Sequence, residues 1–189
     1  MTTRAESAAA TARALLDAAA HLLDEGGPDA VTLRAVGAAA GVSRGAPYGH
    51  FADKQDLLTA VAVRGWEQLA ADLERLHADQ RPSGRERLHR AVLAFIDVAR
   101  KRPHLYALMF VTPTRAPESL IEAASASQDV FLSIVADVVG EQDARRDGAL
   151  LMTSAHGIAG MERSGQLDGA KWGVTGDELV RQLVDLLGR

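Results

Sequence analysis

The sequence predicts an all-α fold of about nine helices, a three-helix head followed by a larger helical domain, and three observations carry that prediction. Apolar residues recur every three or four positions along almost the whole chain. The breaks between those stretches fall at turn-forming clusters such as Gly26-Gly27-Pro28, Arg81-Pro82-Ser83-Gly84 and Thr112-Pro113-Thr114-Arg115-Ala116-Pro117. No segment alternates apolar and polar residues as a half-buried strand does, and there is no internal repeat.

The elements follow in order. Residues 7–24 carry Leu15, Ala18, Ala19, Leu22 and Leu23 at helical spacing, and the first helix is expected to end at Glu25-Gly26-Gly27-Pro28. Thr32 is placed to cap a second helix and Ser43 a third, with Gly41 supplying the left-handed residue between them. Asp53 caps a fourth helix that runs to about residue 80 on Leu57, Leu58, Val61, Trp66, Leu69, Leu73 and Leu76. At ~1.5 Å per residue it is roughly 40 Å long, enough to leave the head and enter a second domain. Further helices are expected over residues 83–101, 103–110 with Pro103 at the first position, 118–139, 143–165 and 176–187, with a loop over 168–176 that contains Gly169, Gly173 and Gly176. The domain boundary is expected at residues 52/53, a head of 1–52 and a second domain of 53–189.

Composition narrows the class of protein. The chain has 189 residues, of which 47% are hydrophobic, enough for a real core. It has no cysteine, which removes disulfides and thiolate metal sites and suits a reducing cytoplasm. Arg13 and Asp17 interrupt the alanine-rich start where a secretory leader would be apolar, and the longest uncharged stretch is too short to span a bilayer, so no membrane partner is expected. The net charge is −4, unlike a protein that coats nucleic acid along its whole surface. Between Thr32 and Lys54, however, three basic residues (Arg34, Arg44, Lys54) stand against one acidic residue (Asp53). Basic character is confined to one small region, as in a protein that docks one edge on DNA.

That region is residues 32–51, two short helices joined at Gly41, which reads as a helix-turn-helix. Arg44 and Tyr48 are four apart, hence on one face of a helix. Arg44 has the chemistry to read guanine or hold a phosphate, and Tyr48 to bond a phosphate and meet a thymine methyl. The plainer alternative is a solvated Arg beside a half-buried Tyr. Pro47 removes one helix N–H and implies a short, partly non-standard third helix. Phe51 is expected in the core.

The segment Val42-Ser43-Arg44-Gly45-Ala46-Pro47-Tyr48-Gly49-His50-Phe51-Ala52-Asp53-Lys54-Gln55-Asp56-Leu57-Leu58 resembles the signature of TetR-type transcriptional regulators, in which Tyr, His-Phe and a nearby Lys recur at these spacings. Ala155-His156-Gly157 resembles the Trp-His-Gly signature of one subgroup, with Ala155 in place of the Trp. The first resemblance implies a DNA-facing set of Thr32, Arg34, Ser43, Arg44, Gly45, Pro47, Tyr48, His50 and Lys54, in which Thr32, Arg34, His50 and Lys54 hold phosphates. It also implies a ligand pocket in the second domain. Five of the eight aromatic residues lie between positions 66 and 131, so Trp66, Phe95, Tyr106, Met109, Phe110 and Phe131, with His156 as a polar candidate, are the expected lining for a small, mostly apolar ligand. An ordinary bundle core reads as well for any one of them.

Two stripes suggest a second copy of the chain as partner: Leu150, Ser154, Gly157, Ile158 and Met161 on one helix, and Leu179, Val180, Leu183, Val184 and Leu187 on the last. A single head reads only a half-site, which favours a two-fold dimer on a palindromic operator of double-stranded DNA. Nothing assembles into a catalytic site. The histidines (His21, His50, His77, His89, His104, His156) show no pair at three- or four-residue spacing, Ser154 and His156 point to different faces, and there is no phosphate-binding glycine loop, so neither an enzyme nor a cofactor is expected. The chain is therefore expected to be a dimeric, ligand-responsive DNA-binding regulator, a repressor as the resemblance implies. The alternative is a helical small-molecule-binding or interaction protein that keeps a helix-turn-helix as a relic.

Overall fold

The computed structural model describes residues 4–110 and 118–188. Nine α-helices and one 3-10 turn, and no strand, occur among the described residues. They are α1 (Arg4–Ala30), α2 (Leu33–Ala39), the 3-10 turn Pro47–Gly49, α3 (Lys54–Ala78), α4 (Gly84–Lys101), α5 (Pro103–Phe110), α6 (Glu118–Val139), α7 (Glu141–Arg163), α8 (Gly169–Trp172) and α9 (Gly176–Leu186). The loop expected around Pro113 lies outside the described residues. Among those residues no single helix is long and apolar enough to cross a membrane.

The chain divides into two compact units, Met1–Gly65 with Arg102–Ile121, and Trp66–Lys101 with Glu122–Arg189. Residues 1–52, the expected head, all lie in the first of these, which also takes in the start of α3 through residue 65 and α5.

In the first unit, Leu15, Ala19, Leu23, Val36, Leu57 and Val61 are buried, each removing its apolar surface from water. The first helix does not stop at Gly26-Gly27-Pro28. It kinks there: Gly27 takes φ 68°, a conformation that costs other residues, and the helix resumes to Ala30. A Cβ on Gly27 would also lie 3.1 Å from the His104 ring of α5, so the kink lets α5 pack closely on α1. Arg102, the residue before α5, with its Nε at 2.9 Å from Asp24, and Arg64 of α3, at 2.5 Å from Asp17, make ion pairs with α1.

In the second unit α4 packs against both α7 and α9, and Leu88, Val92, Phe95, Ile96, Ile134, Leu151, Val180 and Val184 are buried. Arg85 of α4 donates to the carbonyl oxygens of Val184 and Leu187 at 2.5 and 2.8 Å, which ties α4 to the C-terminal end of α9. At the other end of α4, Arg100 donates to both Glu162 oxygens (2.8 and 2.6 Å) and to Asp177 at 2.7 Å, joining α4, α7 and the start of α9. The Glu162 carboxylate, then Asp177, holds the Arg100 charge more firmly than in a free side chain. Thr175 caps α9 in a reciprocal box with Glu178. Residues 169–172, expected as loop, form the one-turn helix α8 capped by Asp168.

Candidate nucleic-acid interface

The helix-turn-helix begins at Thr32, whose Oγ1 accepts from the Ala35 N–H at 3.1 Å and whose extended backbone starts α2 as the sequence predicts. Gly41, at φ 66°, ends α2, and the Val42 N–H returns to the Gly37 carbonyl at 3.1 Å.

The third helix is short and non-standard, as Pro47 implies, but its start departs from expectation. Ser43 does not cap an α-helix. Its carbonyl accepts from Ala46 at 3.0 Å, Ala46 accepts from Gly49 at 3.1 Å, and Pro47 accepts from His50 at 3.1 Å, a chain of tight turns that closes in the 3-10 turn Pro47–Gly49. Pro47 has no N–H to reach the Ser43 carbonyl, and Gly45 and Gly49 each cost a helix about 1 kcal/mol relative to alanine. The four-residue spacing of Arg44 and Tyr48 therefore does not by itself place them on one face.

Both are nonetheless exposed, Tyr48 to 62%, as are Thr32, Arg34, Ser43 and Gly45; His50 and Lys54 are half-buried. Pro47 is the exception in the expected DNA-facing set. It is buried against α2, and a Cβ on Gly37 would come within 2.8 Å of its Cγ, so it positions the turn rather than meeting a partner. Phe51 is buried, with its ring centroid 6.4 Å from that of His50. Asp53 Oδ1 accepts from the Asp56 N–H at 2.9 Å and Asp56 Oδ2 from the Ala52 N–H at 3.0 Å, which starts α3 and carries Lys54 beside the turn.

Arg34, Arg44 and Lys54 have no ion-pair partner among the described residues, and neither has Arg13 on α1, whereas Arg64 and Arg102 in the same unit are each paired with an aspartate. Uncompensated cations, a phenol and two hydroxyls on one small scaffold can hold phosphate oxygens and present a guanidinium to base edges.

The expected pocket residues separate. Trp66, Phe95 and Phe131 line one void in the second unit together with Leu69, Leu73 and Met152. Its volume is about 10 Å³, room for about one water. Tyr106, Met109 and Phe110 belong to the first unit, where the Tyr106 and Phe110 rings lie 4.8 Å apart and a Cβ on Gly65 would be 3.1 Å from the Met109 sulfur. They fall there because α5 returns to the head. His156 is exposed, its ring 6.4 Å from that of Phe95, and does not line the void.

The two stripes expected to face a second copy also divide. Ile158, Val180, Val184 and Leu187 are buried in the chain's own core, where α9 packs on α4 and α7, and so leave the expected interface. Leu150 is 51% exposed, Gly157 is exposed, and Ser154, Met161, Leu179 and Leu183 are half-buried. Leu186, which the sequence reading missed, is 61% exposed and shares a helical face with Leu179 and Leu183. A Cβ on Gly157 or Gly160 meets nothing within 4 Å, which leaves that face open to close approach.

An all-helical chain with an N-terminal helix-turn-helix that presents Arg34, Arg44 and Tyr48 to solvent has the build of a DNA-binding regulator. Residues 15–61 match the bacterial regulatory proteins of the tetR family, and residues 88–187 match the tetracyclin repressor-like C-terminal domain. The chain belongs to the tetR family of transcriptional regulators. It is similar to a protein of unknown function from Rhodococcus sp. RHA1, at 34% identity over 93% of this chain and 92% of that one, TM-score 0.78. It shares its fold with the transcriptional regulator FadR from Bacillus subtilis in complex with stearoyl-CoA, at 15% identity over 94% and 98% of the two chains, TM-score 0.63. SmeT in complex with triclosan is 25% identical over 90% of each chain, TM-score 0.57. No curated protein matches.

Proposed function

We propose that this regulator is a ligand-responsive repressor that binds a palindromic DNA operator as a homodimer, with residues 1–52 as the reading head and 53–189 as the regulatory and dimerising part. It works in the cytoplasm, as a regulator rather than an enzyme, with no cofactor and no membrane partner. The observation that carries this reading is the helix-turn-helix that exposes Arg34, Arg44 and Tyr48 beside the half-buried Lys54, the three cations having no ion-pair partner among the described residues.

Thr32, Arg34, His50 and Lys54 hold phosphates and set register; Arg44 and Tyr48 read the major groove, with Ser43 and Gly45 at the same surface. Two heads, joined through Leu150, Ser154, Gly157, Met161, Leu179, Leu183 and Leu186, enter successive major grooves about 34–36 Å apart. The void on Trp66, Phe95 and Phe131 is closed down to about one water, so a ligand favours a state in which it is enlarged. A dimer that binds DNA less well in that state is released by the ligand, and the ligand-bound forms of FadR and SmeT support such a site in this fold.

Selection of bound fragments from random duplex DNA tests the proposal. An enriched motif with two-fold symmetry is the expected result; an enriched motif without symmetry overturns the dimeric reading, and no enrichment overturns the assignment of the surface.

A further inference from the structure

Resting on the proposed DNA-reading head, we infer that Gly45 and Gly49 are two bare points of the recognition turn, residues 43–50, at which the backbone itself seats against base edges in the major groove, and that they help determine which sequences are bound.

The chain's own fold gives no reason for glycine at either position. Neither takes the positive φ that favours glycine, unlike Gly41 of the same motif at 66°. A Cβ on Gly45 or Gly49 meets nothing within 4 Å among the described residues, whereas one on Gly37 runs into Pro47. Both positions are exposed. Glycine also weakens the turn that carries Arg44 and Tyr48, because it gives up more backbone freedom on folding than any other residue. Two residues that cost the turn stability, and that no strained φ or internal contact requires, are accounted for by a partner that approaches the backbone closely from outside.

Their places in the turn fit the groove. Each glycine directly follows an exposed long side chain, Gly45 after Arg44 and Gly49 after Tyr48, and the residues between, Ala46 and Pro47, are half-buried and buried. The major groove is about 12 Å wide and a helix with its side chains about 10–12 Å across, which leaves little room for side chains that read nothing. A turn bare at positions 45 and 49 brings its backbone down toward the base edges and lets Arg44 and Tyr48 reach further along the groove. Phosphates stand at the outside of the duplex, within reach of long side chains such as Arg34 and Lys54. Bareness is needed only where the backbone has to enter.

The test uses the full chain, the duplex selected from random DNA and a scrambled duplex of equal composition. Gly45→Ala and Gly49→Ala should each melt no lower than the parent, since alanine suits the backbone there and restricts the unfolded chain. Each should weaken binding to the selected duplex by at least about tenfold, the loss of one good base contact. Binding to the scrambled duplex rests on phosphates and should stay within about twofold of the parent's. Gly169→Ala is the control: its added Cβ also meets nothing within 4 Å, but it lies on α8 of the second unit and should change neither affinity. Parental affinity for the selected duplex in either variant, equal weakening on both duplexes, or a lowered melting temperature overturns the inference and leaves the DNA-reading head standing. A parent protein that enriches no duplex overturns that head as well.

Discussion

Gly37→Ala tests how α2 sets the recognition turn. A Cβ at position 37 would sit 2.8 Å from Pro47 Cγ and must gain about 0.6 Å to reach the 3.4 Å of ordinary contact. The obstacle is a rigid ring held at the start of the 3-10 turn, so the turn that carries Arg44 and Tyr48 has to move. Overpacking of this kind costs roughly 1–3 kcal/mol. Replacing glycine by alanine inside a helix returns about 1 kcal/mol, so the single variant should lose about 0–2 kcal/mol of stability. Displacing a bidentate Arg contact should also weaken DNA binding by about tenfold. In a Pro47→Ala background the obstacle is gone and only the helix gain remains. Urea unfolding of the four proteins in this cycle should then give a coupling of about 1–3 kcal/mol, read beside fluorescence anisotropy on the selected duplex. Additive effects, or a Gly37→Ala protein that is more stable and binds DNA as before, would refute the role assigned to this contact.

Arg44→Ala should cost about 1–3 kcal/mol of operator affinity and relax preference at one position per half-site while the melting curve is unchanged; anisotropy on single-base operator variants reads this, and an unaltered preference assigns Arg44 to phosphate or to nothing. Tyr48→Phe, with its ring already exposed, should weaken binding without touching stability. Leu186→Glu adds a charge to a side chain that is 61% exposed within one chain, so it should leave the fold intact but give monomers in sedimentation; an unaltered dimer mass excludes this face. The Glu178 carboxyl is held below its ordinary value of 4.5, first by the Thr175 backbone N–H and then by its hydroxyl. A depressed carboxyl stabilises the fold above its unfolded value and loses that contribution as pH falls through the folded one. Glu178→Gln should accordingly lower Tm at about pH 6 and have a smaller effect at about pH 3, and equal losses at both would show that the charge of the cap is immaterial.

Much of the fold was legible because its punctuation is chemical. Pro103 marks the start of α5, and Thr32, Asp53 and the Gly41 turn mark the head, each by a side chain or a φ that leaves little choice. What periodicity lacks is direction. On α9, Val180 and Val184 face inward while Leu179, Leu183 and Leu186 face outward, two stripes one residue apart that a sequence alone cannot assign to core or partner. The aromatic cluster of residues 66–131 read as one pocket, but the chain returns to the head at residue 102 and takes Tyr106, Met109 and Phe110 with it. In Ala123-Ala124-Ser125-Ala126-Ser127, Ser125 is exposed and Ser127 buried, and only packing distinguishes them. α8, at four residues, is shorter than any window in which a helical period can be seen.

The most direct measurement is the affinity of the full-length protein for its selected duplex and for a scrambled duplex of equal composition, each at about 50 and about 200 mM salt. A regulator that reads sequence through Arg44 and Tyr48 and holds phosphates through Arg34 and Lys54 should bind the selected duplex at least about a thousandfold more tightly, with both affinities falling steeply as salt rises. Equal affinity for the two duplexes, or binding indifferent to salt, would contradict it.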